Sequence, residues 1–90
     1  MDKKRVMKLR VDAQKLKPSV HVGKEGLSTK VVEELKRQLE KNKIVKVRVL
    51  GSFEGNRKDI AMMMARESQS LLVDVRGSTV VLAREQNSQI

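Results

Sequence analysis

Between Ile44 and Leu50, valines at positions 45, 47 and 49 alternate with Lys46 and Arg48, the period-two pattern of a strand with one buried and one wetted face. The segments on either side carry the other period. Upstream, Val31, Val32, Leu35 and Leu39 recur at helical steps, ending near Lys41 with Asn42 as a stop. Downstream, Asn56 followed by Asp59 marks the start of a further helix reaching about Ser68. A strand enclosed by helices cannot pair through tight hairpins alone and needs crossover connections. The chain is thereby directed towards a sheet backed by helices.

The remaining elements follow the same logic. Val6, Leu9, Ala13 and Leu16 form one face of a helix over Lys3 to Lys17, with Val11 the odd apolar member and Pro18 ending it. Ser19 to Val22 reads as a short strand. Ser28 is a helix cap, and Leu27 with Val32 fits a hydrophobic staple at the same helix start. Leu71 to Val75 and Thr79 to Leu82 are two β-rich runs separated by Arg76-Gly77-Ser78, the spacing of a tight hairpin. The expected fold class is α/β: one domain over residues 1–86, order αβαβαββ, with a four-stranded mixed sheet and a polar tail over 87–90.

Composition limits what such a domain can do. Ninety residues make one thin-cored domain, in which a large enclosed active site is not expected. Without cysteine there are no disulfides, thiolate chemistry or zinc-thiolate sites, and the single His21 cannot supply a zinc pair. No metal or cofactor is expected. Asp12, Asp59 and Asp74 fall on separate elements, so their spacing does not force the convergence a nuclease metal site needs. The opening residues lack the apolar stretch of a secretory signal, and no apolar run approaches a membrane span. A cytoplasmic monomer with no membrane attachment is the expectation.

Charge is unevenly distributed. Residues 1–24 hold eight basic and two acidic side chains, residues 25–50 seven and four, and residues 51–90 five and five, a running balance of +6, +3 and 0 within the net +9. An electropositive surface built from the first half and a polyanionic partner are the reading. Phe53 is the only aromatic residue, so aromatic platforms for splayed bases are missing and the backbone should be the handle.

Gly23-Lys24-Glu25-Gly26, entering a helix capped by Ser28, supplies the chemistry. Glycines allow close approach of a phosphate backbone, and a helix start offers unpaired N–H groups. Lys24 adds a mobile charge and Ser28 or Thr29 a hydroxyl, while Glu25 points away or meets a sugar hydroxyl. Two glycines three apart also occur in any tight turn needing positive φ. Lys15, Lys17 and Lys30 lie close in sequence, and Lys4 and Lys8 project from the first helix opposite its apolar face. These residues make up the candidate RNA-binding set.

Leu9-Arg10, Ala13, Leu16-Lys17-Pro18, the stretch from Val22 to Ser28, Val45-Lys46-Val47 and Gly77, Thr79, Val81-Leu82, Arg84 together resemble the CRM (chloroplast RNA splicing and ribosome maturation) domain, whose stand-alone members are the YhbY-like proteins. The resemblance implies a fold similar to the C-terminal domain of translation initiation factor 3, a GxxG loop used for RNA, and association with large-subunit ribosomal precursors. The family pattern has an aromatic residue where this chain has Ala83, which bears on stacking at that edge. It also has Thr-Gly where this chain has Ser68-Gln69, which implies only a different loop.

The leading expectation is a non-catalytic protein that grips structured RNA. A small basic chromatin protein coating duplex DNA is the alternative from another class. Met62-Met63-Met64, with Ile60 and Ala61, is expected to fill core, and His21 to have a structural role.

Overall fold

In the computed structural model, which describes residues 3–84, the expected element order is present. Helices α1 (Lys3–Gln14), α2 (Thr29–Lys41) and α3 (Arg57–Ser68) alternate with strands β1 (Val20–Val22), β2 (Ile44–Val49), β3 (Ser70–Arg76) and β4 (Thr79–Arg84). The polar tail and the domain limit at residue 86 lie outside the described residues. The four strands form one sheet in the order β1-β2-β4-β3, with β1 parallel to β2 and the other pairs antiparallel. It is the mixed α/β sheet expected from the alternation of periods.

Val20, Val22, Val45, Val47, Val49, Val80 and Leu82 line one face of the sheet and pack against Leu35 and Leu39 of α2 and Ile60, Ala61 and Met64 of α3. The opposite face is not simply wet, as the alternation in β2 predicts. Leu9 and Ala13 of α1 cover Val73, Val81 and Ala83 there, with Val6 and Ile44 at the margin. The domain therefore has three layers, and only part of the second sheet face remains open.

Several boundaries differ for local reasons. The first helix stops at Gln14, three residues before the expected end, so Leu16 falls outside it and is 42% exposed. The ammonium of Lys46, reaching from β2, donates to the carbonyls of Ala13 (3.2 Å) and Leu16 (3.1 Å) and caps that end. Asn42 does stop α2, but in extended backbone, with its N–H donating to the Gln38 carbonyl at 2.8 Å. Leu27 packs against the main core and Val32 is half-buried. The hairpin between β3 and β4 turns on Gly77-Ser78, with Gly77 at φ +53, the left-handed first position of a two-residue turn. A bulge between Leu72 and Asp74 lets both Val73 and Asp74 face α1.

Of the methionine run, only Met64 is core; Met62 is 63% and Met63 44% exposed. Successive helical residues point about 100° apart, so three in a row cannot share one buried face.

Candidate nucleic-acid interface

Because β1 and β2 are parallel, the chain leaves both strands at the same end of the sheet, and the starts of α2 and α3 lie beyond them. The first exit is the glycine turn. It is closed by the Gly26 N–H donating to the Gly23 carbonyl at 2.9 Å, with Gly26 at φ +70. Lys24 and Glu25 are exposed at its tip. The Ser28 hydroxyl then accepts the Val31 N–H at 3.3 Å and caps α2, while the other first-turn N–H groups have no intrahelical acceptor.

The second exit, Gly51 to Asn56, packs beside the first. A Cβ on Gly23 would lie 3.1 Å from the Ser52 hydroxyl and 3.4 Å from Leu50 Cδ1. The Phe53 ring, half-buried against the main core, lies 3.7 Å from the corresponding position on Gly26. Both glycines of the turn thus have an internal explanation: Gly26 by its left-handed backbone, Gly23 by its neighbour loop. Asn56 caps α3, accepting the N–H groups of Lys58 (2.8 Å) and Asp59 (3.1 Å).

The predicted cations divide into two groups. Lys24 and Lys30 stand with Thr29 around the glycine turn and the start of α2, all exposed. Lys8 instead lines a cleft with Arg5, Asp12, Lys43 and Arg84, where β2 begins and β4 ends, the far end of the sheet from the turn. Lys4 lies a turn earlier on the same helix, and exposed Lys15 and Lys17 occupy the segment from α1 to β1. Among the described residues Lys8, Lys15, Lys17, Lys24 and Lys30 make no ion pair. On α2 the Arg37 guanidinium hydrogen-bonds Glu34, which with Gln38 holds that carboxyl below its usual range, so these exposed charges answer one another.

No group of three or more His, Asp or Glu side chains that could hold a metal occurs among the described residues, and no helix among them is long and apolar enough to cross a membrane.

A model of the CRS1 / YhbY (CRM) domain matches residues 1–84. The chain belongs to the CRM domain family. A Bacillus subtilis relative named "Probable RNA-binding protein YqeI" is 36% identical over 84 residues, covering 91% of this chain and 88% of its own length. A Methanocaldococcus jannaschii relative named "Probable RNA-binding protein MJ0652" is 37% identical over 78 residues, and the match spans 84% of this chain but only 58% of that protein. The solution structure of SAV1595 from Staphylococcus aureus, described as "a putative RNA binding protein", superposes with a TM-score of 0.80 at 29% identity, covering all of this chain and 96% of that one.

Within this CRM domain, two family-pattern positions are explained by packing. Arg84 donates from Nε to the Leu39 carbonyl (2.7 Å) and from Nη2 to the Glu40 carbonyl (3.0 Å), capping the end of α2. Ala83 is buried beneath α1, so a side chain there presents no stacking surface. Sequence reasoning also passed over Arg48 and Arg76, both exposed. The signal that could have found them is strand register, which a single sequence does not display. His21, expected to be structural, is exposed on the same open face, because Val20 and Val22 on either side of it take the core positions.

Proposed function

We propose that this CRM domain is a non-catalytic RNA-binding protein that holds structured RNA, ribosomal in origin, by its backbone during assembly of the large subunit. The observation carrying this reading is the exposed Lys24 on a closed glycine turn, beside the capped start of α2, in a chain of net charge +9. The names of its relatives support RNA as the polyanion. Phosphate contacts of this kind position a nucleic acid without reading its sequence. In this reading Lys24 and Lys30 neutralise phosphates at the turn, Thr29 offers a hydroxyl, and Lys15 and Lys17 extend the positive field.

Lys24→Ala should weaken binding to different RNA sequences alike and lower the slope of log affinity against log salt by about 0.7 to 0.9, one phosphate's worth. Filter binding over a salt series checks both. Unchanged affinity and slope would move the contact away from the turn. Duplex DNA displacing the RNA at equal or lower concentration would favour a chromatin-type protein instead. Co-sedimentation with large-subunit precursors on a sucrose gradient tests the ribosomal part.

A further inference from the structure

Register across the sheet aligns four side chains that are far apart in sequence. His21 of β1 pairs with Arg48 of β2, Arg48 with Thr79 of β4, and Thr79 with Arg76 of β3. Their neighbours Val22, Val47, Val49, Val75 and Val80 point into the main core, so alternation sends all four to the opposite face. Helix α1 covers that face only up to the preceding row, where Lys46, Val81 and Asp74 lie near Arg10 and Ala13. The row itself is open: His21, Arg48 and Arg76 are exposed and Thr79 half-exposed.

With strands about 4.8 Å apart, the row spans about 14 Å. It begins at His21, two residues before Gly23, and so leads away from the glycine turn. A groove of about 180 Å³, lined in part by Arg10, Lys46, Asp74, Arg76 and Thr79, runs along its inner side. Asp74 answers Arg76 at 3.3 Å and Arg10 at 4.0 Å, whereas Arg48 has no ion pair among the described residues.

We infer that the row His21, Arg48, Thr79 and Arg76 is a second contact surface, carrying a single-stranded stretch of RNA from the glycine turn across the strands. This inference rests on the RNA-binding reading above. The guanidinium groups are planar, always charged and suited to phosphate, and both guanidinium and imidazole planes can support an unstacked base. The Thr79 hydroxyl between the arginines can serve a phosphate or ribose oxygen. A chain whose one phenyl ring is packed against the core, away from this row, can thus still engage bases on an open sheet.

The test is fluorescence anisotropy with labelled single-stranded oligoribonucleotides of four and eight nucleotides. A glycine turn alone grips about four nucleotides, so the row predicts that wild-type affinity rises about tenfold from the shorter to the longer strand. In Arg48→Ala that ratio should fall to about two, with the salt slope for the longer strand reduced by about 0.7. Thermal unfolding checks that the exposed substitution leaves the fold intact. If Arg48→Ala keeps the wild-type ratio and slope while Lys24→Ala weakens binding, the sheet-row inference fails and the turn stands. If wild-type protein binds neither strand nor any structured RNA, both fail.

Discussion

Phe53 decides what its neighbours can be. A Cβ on Gly55 would lie 2.6 Å from the ring's Cζ and 3.1 Å from Cε2, closer than a well-packed core tolerates without movement. The ring is half-buried and packed against the main core, which limits how far it can swing aside. Gly55→Ala should therefore cost about 1 to 3 kcal/mol, the range for overpacking, measured by urea unfolding. An unchanged midpoint would mean the ring has room the packing does not indicate. The second glycine loop was legible in the sequence only as a connection. Nothing in the order Gly51-Ser52-Phe53-Glu54-Gly55 says that the aromatic ring folds back over both glycine-bearing loops, because that contact is between residues and not along the chain.

At the scale of elements, periodicity carried most of the fold: the valines of β2, the stripe of α2 and the Asn56 cap all emerge where their spacing puts them. What escaped were interactions between elements. The lysine in β2 that closes α1 and the arginine in β4 that closes α2 act across 30 to 45 positions of sequence. The bulge in β3, which brings both Val73 and Asp74 against α1, is likewise a matter of contacts between elements. The end of α3 shows a local departure that sequence did flag. Gln69, at the family's glycine position, adopts φ 57 and ψ 47. For a residue with a Cβ that conformation costs about 1 to 2 kcal/mol, against about 0.5 to 1 kcal/mol for the extra freedom glycine loses on folding. Gln69→Gly should accordingly stabilise the domain by about 0.5 to 1 kcal/mol in chemical denaturation, and a loss of stability would show that the Gln side chain holds contacts that outweigh its backbone strain.

For the whole molecule, the two sides of the sheet are unequal. Among the described residues, twelve buried ones make the core beneath α2 and α3, but only five make the one beneath α1. Buried apolar area sets how firmly an element is held. Native-state hydrogen exchange should find α1 amides opening at lower free energy than those of β2 and β4, and Leu9→Ala should accelerate α1 exchange most. Uniform protection across all three layers would contradict this. The candidate site had the same mixed legibility. The glycine turn and its lysine stand together in sequence, while the row from His21 to Arg76 exists only once the strands are paired. The solitary Phe53 has a practical consequence here. In a magnetic field its circulating π-electrons give the chain's one benzenoid ring current, stronger than that of the His21 imidazole, so nuclei of Gly26 and Gly55 beside it should resonate away from ordinary glycine positions. Those two signals would then report, without any attached label, how the turn responds as an oligonucleotide is titrated in.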